Sequence, residues 1–179
     1  MSQARKRRVL IIVENLPVPF DRRVWLEATA LCDAGYEVSV ICPKGKNYMQ
    51  SRETLEGIHI YRHPLPVEGD SGALGFLIEY GVAFFWELLL AWKIFLTRGF
   101  DILHACNPPD NIFLVALTFR PFGVRFVFDQ HDINPELYIA KYGKKGPLYY
   151  VLLALERLTY ATAHLVIATN ESYRKIALT

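Results

Sequence analysis

Short apolar runs punctuate this chain, and most are separated by one stretch of helical periodicity. That alternation restricts the fold more than any other feature, because strands joined through helices lie parallel. Residues 9–13 (Val9-Leu10-Ile11-Ile12-Val13) are continuous and largely β-branched, as in a strand buried on both faces. The following loop, 15–23, contains Pro17 and Pro19, which forbid a helix there. Val24, Leu26, Ala28, Leu31 and Cys32 then have helical spacing, predicting a helix over 24–34 that Gly35 stops. Residues 37–41 form a second strand, ended by Pro43, and complete a βαβ unit.

Further strands are expected over 58–62, 101–106, 125–128 and 165–168, and further helices over 74–98, 111–119, 147–162 and after Asn170. Residues 44–57 read as a polar connection and 67–75 as a glycine-containing loop. Asp110 or Asn111 caps the helix over 111–119, and Thr169 or Asn170 caps the last helix, with Glu171 in its first turn. The order β-α-β-β-α-β-α-β-α-β-α predicts an α/β class. It is a doubly wound, mostly parallel Rossmann-like sheet with helices on both faces and right-handed connections. The 179 residues suffice for one domain with a real core.

Composition removes several function classes. With 52% hydrophobic and 21% charged residues the chain is not disordered. A net charge of +2 is too small to argue for nucleic acid. The basic residues gather at Arg5-Lys6-Arg7-Arg8 and within 141–145 instead of along a helix face, so no nucleic-acid partner is expected. Cys32, Cys42 and Cys106 form no CxxC pair; they read as free, mostly buried thiols in a reducing compartment, with no metal site. His59 and His63 lie four apart on a strand and its loop, which suits outward positions better than a metal pair. The apolar run at 9–13 is too short for a signal peptide, so residues 5–8 are a basic lead-in that can also touch anionic lipid.

The helix over 74–98 carries Glu79, Glu87 and Lys93 in an otherwise apolar stretch. Those three fall within about 120° on a helical wheel. Three charges argue against a bilayer span, which needs about 20 mostly uncharged residues. Either the helix packs into the domain with one polar stripe in water, or it lies at a membrane surface through Phe84, Phe85, Trp86 and Trp92.

In an open α/β sheet, ligands bind beyond the carboxyl ends of the strands. The loops there collect Asp21, Arg22, Arg23, Asn107, Asp110, His131, Asp132, Glu136, Asn170 and Glu171. The densest stretch is Phe128-Asp129-Gln130-His131-Asp132-Ile133-Asn134-Pro135-Glu136-Leu137-Tyr138, where His131 has carboxylates on both sides and changes role readily near neutral pH. The competing reading is a solvated loop whose Asp and Asn cap turns and a helix start. No GxGxxG, GxxxxGK[ST] or GxSxG occurs, so the usual dinucleotide cradle, a P-loop and a hydrolase elbow are excluded. The residues present suit a polar, hydroxylated ligand. Arg22 and Arg23 suit an anion, and His131 can support a developing charge through its ring or its backbone.

Taken together, Pro19-Phe20-Asp21-Arg22-Arg23-Val24-Trp25-Leu26-Glu27-Ala28, Gly35-Tyr36-Glu37-Val38, Asp101-Ile102-Leu103-His104-Ala105-Cys106-Asn107-Pro108-Pro109-Asp110, Phe128-Asp129-Gln130-His131-Asp132, Pro135-Glu136-Leu137-Tyr138 and Ala168-Thr169-Asn170-Glu171-Ser172-Tyr173 resemble the N-terminal half of glycosyltransferase family 4, in its bacterial polysaccharide and cell-envelope branch. The resemblance implies one half of a GT-B fold: an acceptor-side Rossmann-like domain over 1–179, facing a donor-binding domain with an E-x7-E motif that this chain lacks. It implies a retaining transferase that uses a nucleotide-sugar, a glycan or polyprenyl-linked acceptor and no metal. The location would be cytoplasmic, at most peripheral to the inner face of the plasma membrane. By the same resemblance His131 is catalytic, near the transferred sugar. Asp21, Arg22 and Arg23 face donor phosphate or acceptor, and Asn107 and Asp110 line the acceptor side. Asp132 and Asn170 belong to the substrate site, and Glu136 orients the loop. The chain departs from many relatives in having Pro19-Phe20-Asp21 where they carry a Gly-Gly pair. Two alternatives remain: a non-catalytic module that binds a partner or membrane through 74–98, and an unrelated nucleotide-binding α/β protein.

Overall fold

A computed structural model describes residues 6–65 and 72–178, with the side chains of 72–80 excepted. The loop expected at 67–75, Arg5 of the basic lead-in and the side chain of Glu79 therefore lie outside, or largely outside, the described residues. The chain forms two compact units, 1–103 and 104–179. Both are α/β.

The first unit contains β1 (Arg8–Ile12), α1 (Arg22–Asp33), β2 (Glu37–Pro43), β3 (Arg52–Leu55), β4 (Ile58–His63), α2 (Gly72–Thr97) and the start of β5 (Ile102–Cys106). Its strand order is β3-β4-β2-β1. β1 pairs with β2 and β2 with β4 in parallel, while β3 runs antiparallel to β4. Every residue of β2 from Val38 to Pro43 is buried, and both α1 and α2 pack on that strand. A strand buried on both faces is what its unbroken apolar run requires. Asp21 caps α1 by accepting from the Arg23 and Val24 amides, and the helix ends where Gly35 takes φ +88°, the left-handed region that glycine enters without a Cβ clash.

Three expectations change here. Residues 44–57 are not merely a polar connection: β3 lies within them, and Thr54 Oγ1 meets His59 Nδ1 across the pair at 3.1 Å. A short polar edge strand carries no apolar periodicity to announce it. His63 is not outward but buried at the end of β4, its Nδ1 at 3.1 Å from the Pro64 carbonyl, and burial lowers its pKa. The polar stripe of α2 is divided, with Lys93 exposed and Glu87 turned inward. Glu87 is fully buried, whereas Phe85, Leu89 and Leu96 are exposed at 57%, 45% and 75%. The helix buries Ala83, Glu87, Ala91 and Ile94, a row spaced by three and four residues that packs closely because two of its members are small.

Arg62 fixes the loop after β1. Its guanidinium is buried, donates to the Val18 carbonyl at 2.6 Å and pairs with Glu53 Oε2 at 2.7 Å. The ring of Tyr48 lies 5.4 Å away, close enough for a cation–π contact.

The second unit continues β5 into a 3-10 turn (Asp110–Ile112), α3 (Phe113–Phe119), a second 3-10 turn (Arg120–Phe122), β6 (Arg125–Gln130), α4 (Asn134–Tyr142), α5 (Pro147–Thr162), β7 (Leu165–Ala168) and α6 (Glu171–Ala177). Its strand order is β5-β6-β7, and β6 pairs with β7 in parallel. Two differences from expectation bear on function. β6 runs two residues beyond Phe128, so Asp129 and Gln130 are strand residues and fully buried. A further helix, α4, begins at Asn134 with Pro135 in its first turn, where proline is tolerated. Among the described residues no helix is long and apolar enough to cross a membrane.

Candidate functional site

In the second unit, the loops after β5 and β6 are locked together by one side chain. Asn107 is buried and uses both ends of its amide. Nδ2 donates to Asp110 Oδ1 at 2.9 Å and to the Asp132 carbonyl at 2.7 Å. Oδ1 accepts from the His131 amide at 2.6 Å and the Asp132 amide at 3.1 Å. A buried primary amide satisfied at four points is held rigidly. The backbone amides of His131 and Asp132 are thereby engaged, so the ring of His131, and not its amide N–H, is left to serve a ligand.

Asp110 is buried as well. It does not cap α3, which has no side-chain cap hydrogen bond. Its Oδ1 takes the Asn107 bond and its Oδ2 accepts from Asn134 Nδ2 at 2.7 Å. Its carbonyl accepts from Thr159 Oγ1 at 2.5 Å. Burial raises the Asp110 pKa, opposed by the amides of Asn134 and Asn107. Asp110 thus joins the loop after β5 to α4 and α5. Glu156, on α5, is buried nearby, with Oε1 unpartnered among the described residues. Burial, helped by the negative charges of Asp110 and Glu136, pushes its pKa up to about 7.

The His131 ring is half-buried, its side chain 17% exposed. Nε2 lies 2.8 Å from Asp129 Oδ2. The same carboxylate oxygen stands 3.6 Å from His104 Nε2 and 4.0 Å from Cys106 Sγ. Asp129 was hidden in the sequence because it reads as the first loop residue. The clue that finds it is spacing: residues 129 and 131 share a side of an extended chain, as do His104 and Cys106 on β5. His104, Cys106 and Asp129 bring donor atoms within 4.8 Å of one another; imidazole, thiolate and carboxylate are a donor set that suits a transition metal.

Asp132 is half-buried and Glu136 is exposed in the first turn of α4. Asn170, at the end of β7, caps α6 by accepting from the Tyr173 amide, as the sequence suggested. Its neighbour Glu171 pairs with Arg174 at 3.1 Å. Asp21, Arg22 and Arg23 belong to the first unit: Asp21 caps α1 through Oδ1, Arg22 is exposed, and Arg23 pairs with Glu27 at 3.4 Å.

Residues 21–179 match the family described as "Glycosyl transferase 4-like domain". The chain belongs to that family. Solved structures agree with this glycosyl transferase 4-like domain in fold. Sucrose-phosphate synthase from Thermosynechococcus elongatus shares 16% identity at a TM-score of 0.66, covering 96% of this chain and 45% of that one. The E. coli trehalose-6-phosphate protein bound with UDP-2-fluoro glucose shares 16% identity at a TM-score of 0.54, covering 96% and 42%. The C-terminal domain (residues 83–215) of PF1911 hydrogenase from Pyrococcus furiosus shares 14% at a TM-score of 0.53, covering 71% and 96%. No curated protein matches. The glycosyl transferase 4-like domain spans less than half the length of the first of these structures. The Rossmann-like, mostly parallel α/β fold expected from the sequence is the fold observed.

Proposed function

We propose that this glycosyl transferase 4-like domain is the acceptor side of a retaining glycosyltransferase, which moves a sugar from a nucleotide-sugar to a cell-surface glycan or lipid-linked acceptor without a metal ion. The donor-binding domain is supplied by another segment or subunit. The observation that carries this reading is the rigid mounting of His131 at the end of β6, with its amide on Asn107 and its ring on Asp129, in a chain of this family. A ring held in place can meet charge as it develops on the transferred sugar without reorganising. Asp21, Arg22 and Arg23 serve donor phosphate or acceptor, Asp132 and Asn170 contact substrate, and Asn107, Asp110 and Glu136 shape the acceptor loop. The domain alone does not turn over, because positioning of the donor supplies much of the rate.

The test is transfer from a panel of nucleotide-sugars to oligosaccharide and polyprenyl-linked acceptors by the complete enzyme. Transfer with retained anomeric configuration, unaffected by EDTA, is expected. His131→Ala lowers kcat by about 100-fold or more while the melting temperature stays put. No transfer to any acceptor, or transfer that His131→Ala leaves intact, defeats the assignment.

A second reading has its own observation, the outward apolar row Phe85, Leu89 and Leu96 on α2, with Lys93 also exposed beside it. Such a face suits the headgroup boundary of an anionic bilayer, and would place the protein at the cytoplasmic membrane surface. In flotation with phosphatidylglycerol vesicles the wild type should rise with the lipid, and Phe85→Ser/Leu89→Ser should stay behind. Equal behaviour of the two would remove α2 from membrane contact. Flotation without any sugar transfer would favour a non-catalytic membrane module.

A further inference from the structure

We propose that Asp129 is a positioning residue for His131: its carboxylate holds the ring by the Nε2–H and so leaves Nδ1 as the nitrogen that meets the substrate. This rests on the reading of His131 as the group beside the transferred sugar, and adds to it which ring atom acts and what sets it.

The geometry is specific. Asp129 is fully buried within β6, and its backbone carbonyl accepts from the Asn107 amide at 3.2 Å. The carboxylate therefore projects from a backbone fixed by strand pairing on β7 and by the loop after β5. Its Oδ2 is 2.8 Å from His131 Nε2. In the proposed arrangement Asp129 is ionised and the His131 ring neutral; the carboxylate then only accepts, and the proton in this bond sits on Nε2. The amide of His131 is tied to Asn107 Oδ1 at 2.6 Å, which fixes the root of the side chain as Asp129 fixes its tip. A histidine held at both points keeps one ring orientation. Nδ1 makes no hydrogen bond among the described residues, and in the Nε2–H tautomer it is an acceptor, suited to a sugar or acceptor hydroxyl. The His104 ring, 3.6 Å from the same Oδ2, is the second imidazole facing this carboxylate. At 3.6 Å against 2.8 Å it is the more distant of the two rings from that oxygen.

Proton NMR of the full chain labelled with 15N-histidine tests this. The wild type should show one downfield, slowly exchanging imidazole N–H whose nitrogen is Nε2, assigned to His131 by its loss in His131→Gln. Asp129→Asn, which keeps the shape of the side chain, should move that signal upfield or lose it to exchange with water, while the backbone amide of His131 stays protected through Asn107. If Asp129→Asn does not fold, the wild-type spectrum still decides: a His131 Nε2–H signal supports the proposal and its absence overturns it. A downfield signal that belongs to His104 instead overturns it. So does one zinc per chain by elemental analysis that Cys106→Ser abolishes, since Asp129 would then be a metal ligand beside His104 and Cys106. The outcome is independent of the sugar-transfer assay: a held ring in an inactive enzyme would sink the functional reading and leave the positioning intact.

Discussion

Glu87→Gln stabilises the protein at pH 7 by about 3 kcal/mol and removes the fall in stability that Glu87 causes between pH 4.5 and about 8. The cause is burial. Glu87 is fully inaccessible on the inner face of α2, and neither carboxyl oxygen has a hydrogen-bond partner among the described residues. Desolvation pushes its pKa from 4.5 up to about 8. Below pH 4.5 the carboxyl is neutral in both folded and unfolded chains and contributes no pH-dependent term. As pH rises past 4.5 the unfolded chain ionises and the folded one does not, so stability falls at about 1.4 kcal/mol per pH unit. The fall ends once pH passes the folded pKa of about 8. Glutamine exchanges one unpartnered neutral polar group for another of the same shape, so the difference isolates ionisation. Urea unfolding of both proteins across this range is the measurement. A wild-type stability that does not fall between pH 5 and 8 relative to Glu87→Gln would show that Glu87 is ionised in the folded state.

Asn107→Ala costs about 3 kcal/mol or more, at roughly 1 kcal/mol for each of its bonds, and frees the loop that carries His131. Four groups lose their partner at once: Asp110 Oδ1, the Asp132 carbonyl and the amides of His131 and Asp132. Hydrogen exchange reads the local consequence, because the amides of 131 and 132 should become fast in the variant while those in β6 remain slow. Asn107→Asp is the informative companion. It keeps an acceptor for both amides, yet sets a second carboxylate against Asp110, so one of the two must hold a proton. Its stability should recover toward wild type as pH falls. Unchanged exchange at 131 and 132 in Asn107→Ala would mean that the loop is held by something other than this side chain.

How much of this was legible beforehand varied with the kind of residue. The apolar runs of β1 and β2, the helix stop at Gly35 and the cap at Asn170 depend on neighbours within a few positions, and they stand where the pattern put them. His131 and Asp132 stand out as candidates because they are polar residues that follow an apolar strand. Their support does not. Asn107 and Asp132 are 25 positions apart, and no local rule ties them. Asp129 reads as loop because a carboxylate rarely ends a buried strand; its burial follows from imidazoles supplied by β5 and by the residue two positions on.

The helix α2 separates the two kinds of information most clearly. Its periodicity gave a helix and the angular grouping of its charges, both properties of one axis. Which face turns inward depends on the shape of the surface it meets. Against β2 and β4 the helix sets Ala83, Ala91 and Ile94, and Glu87 is carried in with them because it shares their face. By itself, then, the sequence determined the α/β order, the family and the place of His131, since these rest on local pattern and motif. The tertiary structure decided which polar groups are buried and what they hold, since a buried polar atom is settled only by partners that the fold brings from elsewhere in the chain.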